Sequence, residues 1–146
     1  MYSRQLSEGL ADLARASEQK RDAALLRATT ELFILDILHD SDEIHRYEEL
    51  ATHFLPKVSP GDRLFVAERL ATCSDAPPAV IRMLARDTIE IAAPVLRHCT
   101  TLNTADLLAV IAATAAEHRR LIARRSSLSA DVIKALRLTG DTDITG

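Results

Sequence analysis

The chain has 146 residues, 47% hydrophobic but only 3% aromatic, with no tryptophan and a net charge of −3. The apolar content suits one folded domain and argues against wholesale disorder. The acidic balance argues against a dedicated DNA binder, and no apolar run reaches the ~18 residues of a membrane span. With so few aromatics the core must be built from Leu, Ile, Val and Ala, as in closely packed helices.

Apolar spacing predicts helices almost throughout. A first amphipathic segment covers about residues 7–16, with Leu6, Leu10 and Leu13 on one face. A second covers about residues 21–38. Its end, Leu32-Phe33-Ile34-Leu35-Asp36-Ile37-Leu38, is apolar nearly all round and is expected in the core. His39–Glu43 is a polar break, and a third helix over about residues 44–55 stops before Pro56. Ser59-Pro60 reads as the next start, since proline in a first turn forfeits no bond. That helix carries Leu64, Ala67, Leu70 and Ala71. Asp75-Ala76-Pro77-Pro78 links to a helix with Val80, Ile81, Leu84 and Ala85. Asp87 or Thr88 can cap a helix over 89–98, which Pro94 should bend. Asn103 with Asp106 resembles a capping box for a helix reaching Ala116. A short basic helix over 117–125 follows. Ser129 opens the last helix, and Gly140 is placed to end it. The links are short, so neighbouring helices should be antiparallel.

A repeat runs through this pattern. Leu70, Leu96 and Ile122 are spaced by 26 residues, as are Ile81, Leu107 and Ile133, and Leu84, Val110 and Leu136. A fixed apolar period is the mark of stacked repeats, and these nine side chains are expected to form one buried strip. Residues 59–146 are the repeat region. Residues 1–58, out of register, are expected to act as N-terminal capping helices. Asp141–Ile144 resembles Asp87–Glu90, as though another repeat would begin there. Cys73 and Cys99 also differ by 26. Stacked helices lie about 8–10 Å apart, too far for a disulfide, so two reduced thiols are expected.

Some stretches are more specific than generic helix: Ala92-Ala93-Pro94-Val95-Leu96-Arg97, Glu117-His118-Arg119, and Ile122-Ala123-Arg124-Arg125-Ser126-Ser127-Leu128-Ser129. With Ala67–Ala71 and the Ala76-Pro77-Pro78 start, they resemble a bacterial domain-of-unknown-function family of HEAT-like all-helical repeat proteins, over about residues 20–140. The resemblance implies an all-α HEAT-like solenoid of antiparallel helix pairs and carries no chemistry. A 26-residue pair is shorter than the usual HEAT unit of about 40.

Candidate chemistry is sparse. His45, Glu49 and His53 share one helix face at i, i+4, i+8, with His39, Asp40 and Asp42 upstream. One helix cannot close a tetrahedral site over two turns, so they read as a solvated face and no metal is expected. Arg119, Arg120, Arg124 and Arg125, beside His118, form the strongest cluster. Residues 117–137 sum to +4, against −6 for residues 31–62. Arginine grips carboxylate or phosphate in a bidentate way, so these four are the candidate partner-binding residues. Nucleic acid is disfavoured because stacking aromatics are missing. No phosphate loop, nucleophile elbow or His-Glu-x-x-His motif occurs. Glu90 and Asp106 could line a groove, but nothing in the sequence marks either as catalytic.

The sequence reading is therefore a non-catalytic protein-interaction or scaffolding module without cofactor. It binds a protein partner or a second copy of itself, engages no membrane and is expected in the cytoplasm. The alternative is a nucleic-acid-binding or glycosylase-like HEAT-type module, which would need a basic concave surface.

Overall fold

The computed structural model describes residues 2–36 and 38–139, with side chains from residue 7 onward. Eight α-helices occupy them: α1 Tyr2–Leu35, α2 Ser41–Phe54, α3 Pro60–Leu70, α4 Pro78–Ala85, α5 Ile89–His98, α6 Thr104–Ala113, α7 Ala116–Ala123 and α8 Ala130–Leu138. A 3-10 turn at Leu55–Lys57 joins α2 to α3. Among the described residues there is no strand, so the chain is all-α, and no helix is long and apolar enough to cross a membrane.

Local chemistry sets most helix starts. The Asp40 carboxylate accepts the Glu43 N–H at 2.8 Å, and Ser59 and Ser129 accept from Asp62 and Val132 at 3.4 and 3.3 Å. Asn103 and Asp106 form the expected capping box: each side chain accepts the other's backbone N–H, at 2.9 and 3.1 Å. Such a cap contributes about 0.5–2 kcal/mol. Thr88 precedes α5 without a side-chain cap bond, while the Asp87 carboxylate accepts the Thr88 N–H at 2.7 Å. Gly140 and the segment Asp141–Ile144 lie outside the described residues.

The odd-numbered helices pack in succession, α1 on α3, α3 on α5 and α5 on α7, while α2 packs on α4 and α6 on α8. Side chains shared between these elements form one apolar core. Eight of the nine aligned positions are buried; Ile133, on α8, is 38% exposed. Cys73 and Cys99 are free thiols. Ion pairs tie elements distant in sequence: Arg27 with Asp62, Arg69 with Glu31, Arg63 with Asp87 and Arg82 with Asp106. The Phe65 ring lies between two of these cations, with the Arg69 and Arg27 guanidinium carbons 3.5 and 4.5 Å from its centroid. Asp106, a candidate groove residue from the sequence, thus has two structural tasks, in the cap and in the pair with Arg82.

Two expectations fail in α1. The segments expected over 7–16 and 21–38 are one 34-residue helix, about 51 Å long at ~1.5 Å per residue. The polar stretch Ser17-Glu18-Gln19-Lys20 interrupts the apolar pattern, but it holds neither Gly nor Pro, so nothing breaks the backbone ladder. The apolar run at its end is not central to the core either. Leu26, Thr30 and Phe33 are buried on one face, while Leu32, Leu35 and Leu38 are 65, 72 and 84% exposed. Every residue from Ser7 to Arg21 is exposed. The half of α1 before residue 22 therefore runs along solvent, where Gln19 reaches the Lys57 carbonyl at 3.3 Å.

Candidate functional site

Two of the four arginines proposed as a patch, Arg119 and Arg125, are engaged by backbone carbonyls. Arg125, just past α7, turns back under α5: its two Nη groups donate to the Leu96 and Cys99 carbonyls at 2.7 and 2.8 Å. These are carbonyls at the C-terminal end of a helix, where no intrahelical donor remains, so the guanidinium caps α5. Burial lowers the Arg125 pKa from its ordinary value, yet a guanidinium stays protonated in proteins. Arg119 donates to the Thr114 carbonyl at 3.0 Å and closes the end of α6 in the same way. His118 is buried, with Nε2 donating to the Asp87 carbonyl at 2.7 Å, which ties α7 to the α4–α5 link. Arg120 and Arg124, one turn apart, are the exposed pair on the outside of α7.

The histidines of α2 do not converge on a metal. His45 Nε2 lies 3.0 Å from a Glu49 oxygen, with both side chains 69% exposed. His53 Nε2 accepts from the Lys57 ammonium at 3.0 Å.

The residues with the strongest chemistry lie where no motif marks them. Between the end of α1 and α2 is a groove of about 440 Å³ lined by Thr29, Leu32, Phe33, His39, Tyr47 and Leu50 and by the charged Asp36, Glu43 and Arg46. Three rings stack along it. His39 lies on Phe33 at 3.9 Å and 12°, and Phe33 on Tyr47 at 4.5 Å and 15°. Thr30 donates to the Leu26 carbonyl at 2.7 Å, so the Tyr47 hydroxyl is the donor in its 2.7 Å bond to Thr30. Burial drives the Tyr47 pKa well above the ordinary phenol range.

His39 closes the groove. Its side chain is 1% exposed. Nε2 bonds the Phe33 carbonyl, and Nδ1 lies 3.2 Å from an Asp75 oxygen. A carbonyl and a carboxylate only accept, so this arrangement favours the ring with a proton on each nitrogen. Burial opposes that charge. The Phe33 carbonyl, the bond and charge of Asp75, and the charge of Glu43 outweigh it and hold the pKa above its ordinary value. Asp36, His39 and Glu43 also bring candidate ligand atoms within 4.8 Å of one another. A metal ligand needs a free imidazole lone pair, whereas both nitrogens here face acceptors, which favours a charge cluster around a protonated His39.

Stability should depend on pH accordingly. The unfolded imidazole titrates near ~6.5, and the folded pKa is higher. The folded state then binds more protons between the two values. The His39 contribution is complete below about pH 6.5 and is lost as pH rises through the folded pKa. A series of melting temperatures from pH 6 to 9 should fall more steeply for the native chain than for His39→Gln. Parallel curves would show that folding leaves the His39 pKa unchanged.

Comparison with known proteins adds one finding. A family model described as an uncharacterised protein conserved in bacteria (DUF2336) matches residues 91–145. The similarity to a bacterial family of unknown function thus holds for the stretch beginning in α5, which contains most of the quoted motifs, rather than for the wider span about 20–140. No curated protein and no solved structure matches the chain.

Proposed function

We propose that the chain is a non-catalytic protein-interaction scaffold, a short helical-repeat stack whose working surface is the outward face of α1. The repeat reading is supported by the starts of α4, α6 and α8 at Pro78, Thr104 and Ala130, 26 residues apart, and by the succession of odd helices. The observation that carries the function is the apolar second face of α1. Leu10 and Leu13 are 64 and 68% exposed, and Leu32 and Leu35, 22 residues further on, are 65 and 72% exposed. Twenty-two residues are about six turns, so the two pairs fall on the same side. Terminal repeats that only cap a stack are polar outside. This one presents two exposed leucine pairs opposite its packed face, with Ser17 and Arg21 between them, and such apolar pairs are what a helix uses to dock on another protein. The exposed Arg120 and Arg124 supply a second, charged contact on α7, in place of the four-arginine patch.

The test is association of the purified chain, by sedimentation and by capture of partners from a bacterial lysate. Leu32→Glu with Leu35→Glu should weaken association at least tenfold, and Arg120→Glu with Arg124→Glu should mainly change its salt dependence. If the native chain stays monomeric at high concentration, captures no protein and behaves as the leucine variant does, the scaffold reading is wrong. Turnover of any substrate by the pure chain would also overturn it.

A further inference from the structure

Four arginines in this fold have a carboxylate partner: Arg27 has Asp62, Arg63 has Asp87, Arg69 has Glu31 and Arg82 has Asp106. Arg125 does not fit this pattern. Its bonds go to the Leu96 and Cys99 carbonyls, at the negative end of α5, which offset part of its charge but supply no full counter-charge. The same guanidinium lines a pocket of about 370 Å³ between the C-terminal ends of α5 and α7, the space of roughly a dozen waters. The other polar side chains there are Arg97, His98, Thr100, Ser126 and Ser127, all able to donate, and no carboxylate lines it. Glu68 and Glu90 line a separate groove between α3 and α5, which Arg97 and His98 also border.

A half-buried cation with no counter-ion among the described residues, set in a pocket walled by donors, favours an anion from solution. The donors come from three directions: Arg97 and His98 from the end of α5, Thr100 from the link after it, and Arg125, Ser126 and Ser127 from the link after α7. A carboxylate offers two coplanar oxygens and is satisfied by one guanidinium fork. A phosphate offers oxygens in a tetrahedral spread and suits donors arranged around it. We propose that this pocket binds a phosphate group, with Arg125 as its fixed floor and Arg97 as the mobile side chain that closes on the ligand. The site is independent of the α1 surface, so either can fail without the other.

The test is an amide-resolved NMR titration of the full chain with inorganic phosphate, against sodium chloride at equal ionic strength. A serine peptide and its phosphoserine form make the second arm. Saturable shifts confined to residues 97–100 and 125–127 are expected with phosphate and not with chloride. Arg97→Gln, at an exposed position, should weaken binding at least tenfold with the melting temperature unchanged. Ser126→Ala with Ser127→Ala should weaken it severalfold, as a second probe that spares both arginines. Tighter binding of the phosphopeptide than of free phosphate identifies a modified protein as the source, and exclusion of the peptide identifies a small phosphate compound. Shifts that chloride reproduces, or equal phosphate affinity in native and Arg97→Gln chains, overturn the proposal.

Discussion

Leu107→Ala is expected to lower stability by about 2–5 kcal/mol. Leu107 is 5% exposed on α6, which packs on α7 and α8. Truncation there removes three carbons from a core with little polar material to fill the space, and the short flanking helices can close only part of it. Ile133 stands one 26-residue step further on, at the position equivalent by sequence. If the repeat alone set the energetics, Ile133→Ala would cost the same. Its 38% exposure on α8 argues otherwise: the side chain already meets water, and the cost should stay near or below about 1 kcal/mol. Chemical denaturation of the two variants beside the native chain gives the comparison directly. Equal losses would mean that Ile133 is covered in solution, by association or by chain beyond the described residues.

The sequence made the helices legible wherever the signal was local. Ser59-Pro60, the Asn103–Asp106 pair and Ser129 start α3, α6 and α8 because each acts within three residues of itself. The failures in α1 have one physical origin. Hydrophobic periodicity says which side of a helix is apolar, but a leucine bound for a core and a leucine left at the surface look alike. Leu26 and Phe33 went inside, while Leu32 and Leu35, of the same chemistry and adjacent in sequence, stayed out. Likewise a polar interval such as Ser17–Lys20 lowers amphipathicity without ending a helix.

The candidate site was less legible because its bonds are long-range. Arg125 meets carbonyls 26 and 29 residues away, and the partners of His39 include Asp75, 36 residues on. The 26-residue step sets Arg125 one repeat on from Cys99 but does not say where its side chain turns, and no spacing links His39 to Asp75. In the sequence His39 is one histidine among acids, and Arg125 one of four arginines. Only the helix ends brought beside them separate the cation that caps a backbone from the cation that meets solvent.

That distinction yields the second large effect. Arg125→Ala should destabilise the chain by about 2–4 kcal/mol, whereas Arg124→Ala should fall within about 0.5 kcal/mol of the native protein. Arg125 makes two charge-assisted bonds, each of a kind worth about 1.5–3 kcal/mol. They satisfy carbonyls of Leu96 and Cys99, residues that are themselves 0 and 1% exposed. Water can enter the pocket left by the side chain and recover part of the loss, which holds the estimate below the sum of the two bonds. Arg124 is exposed, and a surface substitution away from packed features costs little. Charge reversal across Arg119, Arg120, Arg124 and Arg125 together would therefore loosen the ends of α6 and α5 as well as change the surface. Any lost association would then be ambiguous. Urea denaturation of the two single variants separates the roles: a loss confined to Arg125→Ala assigns that residue to the fold, while equal, small losses would place its guanidinium in solvent and remove the floor of the phosphate pocket.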